Sequence, residues 1–229
     1  INGANLSVCL SDAFMEAVVK DGNWNLINPR NGQVTNTIKA RAIWELAVTY
    51  AHRTGDPGMI FLDRVNRDNP MIKSFGPIQA TNPCGEIPQY PYESCNLGYL
   101  NLTGFMKKNA KGEVSFDFAE LAATSAVATR FMDNVIDTSW FPVEGQRKTI
   151  KGFRRIGIGV VGWADLLAEM GLVYGSPESL KLAEKISKVI SDACHEESYK
   201  LGAEKGPFPF ITKSDWKNDQ RQRRNITTN

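Results

Sequence analysis

The loop-forming stretch around residues 82 to 86 holds the side chains best suited to chemistry. Asn82, Cys84 and Glu86 occupy every second position, so in an extended segment they would project to the same side. An amide, a thiol and a carboxylate on one face could bind a hydroxyl-rich substrate, attack it or abstract from it, and carry its proton. A surface turn with a partly buried, unreactive cysteine is an equally good interpretation of the same spacing.

A second thiol, Cys95, follows eleven residues after Cys84. It is interpreted either as a buried thiol or as the redox partner of another cysteine. The interval is long enough for a disulfide with Cys84, but spacing alone does not establish that pairing. Both interpretations of Cys95 therefore stay open at the level of the residues.

No metal site is predicted. Zinc would need three or four ligands, and the two histidines, His52 and His195, lie in predicted helices far from the loop. Cys194 and His195 are interpreted as an interior or interfacial pair without chemistry, and Cys9 as a core residue of the first strand.

The run Gly157–Gly162 matches the G-x-G-x-x-G pattern of dinucleotide-binding proteins. The preceding residues 151–155 are basic, and the position roughly twenty residues beyond Gly162 falls inside a predicted helix, where no ribose-binding acid is correctly placed. Close packing of a helix on a strand is the favoured interpretation. A dinucleotide-binding oxidoreductase remains as an alternative.

A basic stretch with one tryptophan, Trp216, lies near the end of the sequence, and its cations are Lys213, Lys217, Arg221, Arg223 and Arg224. A solvated helix end is the first interpretation, and contact with phosphate is the second.

The chain has 229 residues, of which 42% are hydrophobic, enough for one packed domain or two small ones. A formal net charge of +2 favours neither a nucleic-acid partner nor a membrane surface. No apolar run approaches the roughly 20 residues of a membrane-spanning helix. Four cysteines without a CxxC pair are typical of a reducing compartment, so a cytoplasmic location is predicted.

Strand and helix signals alternate along the sequence. Strands are predicted near residues 5–10, 59–62 and 156–161, and helices from Ser11, over 40–54, 116–139 and 163–170, and from Ser176 to about Ala203. Residues 21–36 are predicted to form turns, and prolines exclude a helix between the two loop cysteines. This order predicts an α/β fold with parallel strands.

Two motifs, Asn82–Glu86 and Glu93–Gly98, resemble the active-site region of ribonucleotide reductase large chains, in the form typical of the adenosylcobalamin-dependent class. Further segments resemble the same family in the same order: residues 5–15, 55–61, 155–167 and 205–208, with Arg224 and Asn225. The resemblance spans almost the whole chain.

The resemblance implies that residues 1–229 are a partial catalytic domain, part of a ten-stranded α/β barrel with a central finger loop. Adenosylcobalamin would be the cofactor that generates a thiyl radical on Cys84, and that radical would abstract the hydrogen at C3′ of a ribonucleotide. By the same resemblance Glu86 takes the 3′-hydroxyl proton, Asn82 holds the ribose, and Cys95 is one of two reducing thiols.

The resemblance also implies partners: a ribonucleoside diphosphate or triphosphate as substrate, a deoxynucleotide effector bound through segments absent here, the remaining part of the reductase, and a thioredoxin-type reductant. The second reducing thiol is expected before Ile1, and a phosphate-binding turn after Asn225. The isolated chain is therefore expected to be inactive. A non-catalytic fragment or a split-subunit assembly partner is the alternative.

Overall fold

The computed structural model describes residues 3–112 and 114–229, and the chain divides into two compact units, Ile1–Pro91 and Tyr92–Asn229. The described strands form five two-stranded sheets. The predicted mixture of helices and strands is confirmed, but the described sheets do not close into a barrel.

The first unit contains six strands and four helices in its described part. They are β1 (Ser7–Leu10), α1 (Asp12–Val19), β2 (Asn23–Ile27), β3 (Val34–Lys39), α2 (Ala40–Thr54), β4 (Gly58–Phe61), α3 (Leu62–Arg67), α4 (Ile72–Phe75), β5 (Ala80–Thr81) and β6 (Pro88–Gln89). Strands β1 and β4 are parallel, whereas β2–β3 and β5–β6 are antiparallel pairs.

Capping residues close in sequence explain where helix α1 begins and where helix α2 ends. Ser11 caps α1 by accepting a hydrogen bond from the Phe14 N–H at 3.1 Å, and α1 buries Phe14 and Val18 against α2. Helix α2 ends at Gly55, which has a φ of 84° and so takes the left-handed conformation that glycine allows. The prediction of turns over residues 21–36 is confirmed at Asp21 and at the hairpin tip around residues 29–31, but it missed the strands β2 and β3, which pair there as a hairpin.

The second unit contains four strands and four α-helices in its described part. They are β7 (Asn96–Asn101), β8 (Met106–Lys108), β9 (Val114–Phe116), α5 (Phe118–Thr138), α6 (Glu144–Phe153), β10 (Ile156–Val161), α7 (Trp163–Glu169) and α8 (Pro177–Lys205). Short 3₁₀ helices span Leu102–Phe105 and Pro209–Lys213. Strands β7 and β10 are parallel, with Asn96 opposite Ile156.

One large core supports the β7–β10 sheet. Helices α5 and α8 pack against each other, and their apolar side chains cover one face of the two strands. Buried members of this core include Leu100, Leu121, Ile136, Ile156, Ile158, Ile186 and Ile190. None of the described helices combines the length and the apolarity that crossing a bilayer requires.

The last residues extend this sheet instead of forming a solvated helix end. The Ile156 N–H donates to the Thr227 carbonyl at 3.4 Å, and the Ile158 N–H donates to the Thr228 carbonyl at 3.1 Å. Upstream, the Arg223 guanidinium lies 4.3 Å from the centroid of the Trp216 ring. The helix-end interpretation of the basic stretch is confirmed only for the exposed Lys213, the last residue of the 3₁₀ helix Pro209–Lys213. It was wrong for Arg221, Arg223 and Arg224, which follow that helix and make specific contacts.

Gly202 lets the chain return across α8. A Cβ at this position would overlap the backbone carbonyl of Gln222, and a backbone atom cannot swing aside as a side chain can. We expect Gly202→Ala to lower the free energy of unfolding by roughly 1–3 kcal/mol, the usual cost of overpacking. Urea denaturation followed by tryptophan fluorescence measures the loss. Gly104→Ala is the control, because a Cβ there meets nothing within 4 Å; equal midpoints for the two variants would contradict the expectation.

Candidate active site

Asn82 closes the hairpin that carries the first cysteine of the motif. Strands β5 and β6 pair Ala80 with Gln89 and Thr81 with Pro88. In the connection between them, the Asn82 N–H donates to the Ile87 carbonyl at 3.1 Å, and the Ile87 N–H donates to Asn82 Oδ1 at 3.0 Å. The side-chain carbonyl oxygen of Asn82 therefore accepts a hydrogen bond within the loop. Its Nδ2 has no acceptor among the described residues and can donate to another molecule.

The motif is a tight turn between Asn82 and Gly85. The Gly85 N–H donates to the Asn82 carbonyl at 3.0 Å, and Gly85 has a φ of 87°. Pro83 fixes the second position of the turn, and Asn5 Nδ2 holds the Pro83 carbonyl at 2.9 Å. The extended conformation required for Asn82, Cys84 and Glu86 to share one side by alternation is thus absent, because proline and a left-handed glycine bend the chain.

The turn presents its reactive groups to the outside. Cys84 is exposed and has a free thiol, and Glu86 is exposed. A Cβ added to Gly85 would meet no atom within 4 Å, so the space around the tip is open. Within the described ranges no ion pair engages Glu86. An accessible thiol beside an accessible carboxylate suits hydrogen or proton transfer with a bound molecule.

Cys95 lies in the second unit, one residue before β7. It is half-buried, and its Sγ donates a hydrogen bond to the Asn96 carbonyl at 3.3 Å. The free thiol of Cys84 excludes the disulfide with Cys95 in this structure. The two motif cysteines are therefore placed by different elements, one by a turn and one by the start of a strand.

The remaining cysteines divide into one wrong and one confirmed prediction. Cys9 is exposed, not core. Among the described strands β1 pairs with β4 alone, and Cys9 lines a cavity of about 400 Å³ in the first unit. Cys194 is buried in α8, as predicted, and burial raises the pKa of its thiol. Burial, followed by the nearby Arg223 charge, lowers the pKa of His195. Among the described residues no three His, Cys, Asp or Glu side chains form a group that could hold a metal.

The glycine run lies in β10 and its link to α7, and Gly159 packs against the adjacent strand β7, not against a helix as the sequence favoured. Gly157 and Gly159 lie inside β10, where a phosphate-binding loop would have to follow the strand. The intervening Ile158 N–H already donates to Thr228. A Cβ on Gly159 would lie 3.2 Å from the Tyr99 ring, so close packing explains this glycine. The dinucleotide alternative gains no support from this geometry.

Sequence reasoning assigned no role to two charged residues that flank the site. Arg155 Nε donates to Glu93 Oε1 at 2.6 Å, and the two side chains are 8% and 0% exposed. Glu93 lies two residues before Cys95, and Arg155 lies directly before β10. The signal in the sequence is a charged residue next to the first residue of an apolar strand, which indicates either an exposed strand end or a buried pair.

Comparison with known proteins places this arrangement in a family. The family model for the ribonucleotide reductase barrel domain matches residues 1–228. The chain belongs to the ribonucleotide reductase family. The resemblance inferred from the two cysteine motifs is thereby confirmed.

Relatives of this ribonucleotide reductase segment include proteins named for vitamin B12. The vitamin B12-dependent ribonucleoside-diphosphate reductase of Thermoplasma acidophilum is 42% identical over 228 residues, covering 100% of this chain and 29% of that protein. That of Mycobacterium tuberculosis (strain H37Rv) is 43% identical over 210 residues, with 92% and 29% covered. The ribonucleoside-diphosphate reductase large subunit of Caenorhabditis elegans is 32% identical over 229 residues, with 89% and 28% covered.

The chain spans under a third of the length of these relatives. Identity is higher to the two proteins named for vitamin B12 than to the large subunit from Caenorhabditis elegans. The names of the first two relatives agree with the class that the motif spacing resembles.

Proposed function

We propose that this chain is the central catalytic segment of an adenosylcobalamin-dependent ribonucleotide reductase, which reduces a ribonucleotide to a deoxyribonucleotide. The observation that carries the proposal is the exposed thiol of Cys84 at the tip of a tight turn, with Asn82 and Glu86 on either side of it. Membership of the family and the names of the relatives support the choice of reaction and of cofactor.

The tip of the turn is open beside Gly85, where an added Cβ would meet no atom within 4 Å. A cofactor that acts on the Cys84 thiol requires access to this tip. Cys84 is the residue on which the cofactor would act. When bound, adenosylcobalamin supplies the radical that converts the Cys84 thiol into a thiyl.

In this proposal each side chain of the turn has its own role in the reaction of the ribose. The Cys84 thiyl takes the hydrogen atom from C3′ and returns it at the end of the reaction. Glu86, exposed beside it, accepts the 3′-hydroxyl proton. Asn82 is held by its Oδ1, so its Nδ2 is oriented to donate a hydrogen bond to a ribose oxygen. Fixing the donor before the substrate arrives lowers the cost of ordering it.

Cys95 provides half of the reducing equivalents. In this proposal Cys95 and a second thiol, outside this chain, lose two electrons and two protons and form a disulfide. The C2′–O bond breaks and the 2′-hydroxyl leaves as water, while hydrogen replaces it at C2′. A thioredoxin-type reductant would restore the dithiol, and a deoxynucleotide effector and the remaining part of the reductase would complete the enzyme.

Replacing Cys95 tests this division of roles. In the reductase that contains this segment, Cys95→Ser should leave radical formation at Cys84 intact, because the substitution changes no residue of the Asn82–Gly85 turn. We expect sustained turnover with a thioredoxin-type reductant to fall to background. Product per enzyme is measured by chromatography after one and after many cycles. Cys194→Ser is the control, since that thiol is buried in α8.

Sustained turnover of Cys95→Ser at the wild-type rate would contradict the reducing role. A complete reductase that makes no deoxyribonucleotide with adenosylcobalamin, reductant and ribonucleotide would contradict the proposed function as a whole. Stable binding of the chain to a partner segment without any activity would then favour the split-subunit or non-catalytic alternative.

A further inference from the structure

The buried pair of Glu93 and Arg155 has no part in the chemistry proposed above. Besides the 2.6 Å bond, Arg155 Nη2 lies 3.5 Å from Glu93 Oε2. Taking two charges out of water is expensive, and a buried ion pair often stabilises a fold no more than apolar side chains of similar size would. Fixing the register of a particular segment is the best-attested use of such a pair.

The place of the pair in the two strands identifies the segment that it fixes. Strands β7 and β10 are parallel, and Asn96 lies opposite Ile156. One step back along this register places Cys95 beside Arg155, on neighbouring segments that run roughly 4.8 Å apart. The Arg155 side chain therefore crosses to the segment that carries Cys95 and binds Glu93, which lies two residues before Cys95.

Other contacts restrain the same segment. Tyr92, directly before Glu93, has a φ of 65°, a conformation that costs a non-glycine residue roughly 1–3 kcal/mol and persists only where the surroundings impose it. Its ring lies against Gly145 of α6, where an added Cβ would come within 3.3 Å. On the other side of Cys95, Asn96 Nδ2 donates to the Met132 carbonyl at 3.4 Å.

We propose that Glu93 and Arg155 are positioning residues for the Cys95 thiol. This inference rests on the proposed function of Cys95. The ion pair sets the distance between the start of β10 and the segment before β7, and so holds Cys95 where its thiol can meet the substrate and the second thiol. Neither residue belongs to the Asn82–Gly85 turn.

The variants Glu93→Gln and Arg155→Gln in the complete reductase test the inference. Glutamine keeps the size of Glu93 but removes its charge. We expect the radical signal in electron paramagnetic resonance, recorded with ribonucleotide bound, and the KM to stay within twofold of wild type. The rate of deoxyribonucleotide formation should fall about 10- to 100-fold, the effect of a small misplacement of a reacting group. A merely structural role would lower the radical signal and the product rate together, and that result would overturn the inference.

Two further variants test whether the effect comes from the contact between Glu93 and Arg155. The double variant should be no slower than the slower single variant, because both substitutions remove the same contact. Glu144→Gln breaks an exposed pair with Arg147, 2.7 Å long in the same unit, and should leave the product rate unchanged. A wild-type product rate in Glu93→Gln, alongside a failing Cys95→Ser, overturns the positioning role alone. A wild-type rate in Cys95→Ser itself overturns the proposed function of Cys95 as well.

Discussion

Cys84→Ala in the complete reductase is expected to give no detectable deoxyribonucleotide. Alanine has no hydrogen that a radical can remove easily, and no other thiol lies in the Asn82–Gly85 turn to replace it. Cys84→Ser should fail equally, because a hydroxyl hydrogen is much harder to abstract than a thiol hydrogen. Product is quantified after incubation with adenosylcobalamin, a dithiol reductant and ribonucleotide.

Cys9→Ala is the matched control for this loss. Cys9 is also an exposed thiol of the first unit, but it lies on β1 and belongs to no part of the proposed site. It should retain wild-type turnover, and substrate binding should persist in both variants because Asn82 and Glu86 are unchanged. Residual turnover of Cys84→Ala at even a few per cent of wild type would exclude a radical role for this thiol.

Helices that begin or end at capping residues close to them in sequence could be predicted from the sequence. Helix α2 spans Ala40–Thr54 as predicted, because Gly55 and Pro57 end it locally. Helix α8 begins after Ser176, whose hydroxyl accepts from the Ser179 N–H, with Pro177 in the first turn. The β2–β3 hairpin escaped prediction because asparagine and threonine, common in turns, occupy strand positions that are largely exposed.

The motif names the residues of the candidate site, but the geometry of the turn that carries them could not be predicted. The motif identified Asn82, Cys84, Glu86 and Cys95, but the turn depends on hydrogen bonds to Ile87 and on a left-handed Gly85, which alternation cannot foresee. Cys9 was assigned to the core because alternating apolar residues predict a strand with one buried face. The pattern does not predict how many other elements pack on that strand. A contact between distant residues cannot be assigned from a local pattern: the charge of Arg155 beside an apolar strand does not identify Glu93 as its partner.

The buried acid Asp133 is a second residue on which segments distant in sequence converge. Asp133 lies in α5, and its fully buried carboxylate is 2.8 Å from Arg154 Nη2. Arg154 is the C-cap residue of α6. Asn225 Nδ2 donates to Asp133 Oδ1 at 2.9 Å, and Arg224 Nε donates to Oδ2 at 3.3 Å. One side chain thus joins α5, the start of β10 and the terminal segment that pairs with β10.

Asp133→Ala should consequently destabilise the fold far more than an ordinary substitution. Removing one partner leaves the Arg154 guanidinium, 3% exposed, with part of its charge uncompensated in the interior. Breaking a buried pair in this way costs roughly 3–5 kcal/mol. Urea denaturation of the chain, followed by tryptophan fluorescence and by circular dichroism, measures the free energy of unfolding.

Asp137→Ala separates burial from charge as the cause of that loss. Asp137 lies one helical turn further along α5 and binds the same two arginines, with 2.7 Å to Arg154 and 3.6 Å to Arg224, but its side chain is 43% exposed. Because water can replace the lost carboxylate there, we expect a loss of no more than roughly 1 kcal/mol. Equal losses in the two variants would show that Asp133 acts only as one more surface charge, and would refute its role as the buried junction of these segments.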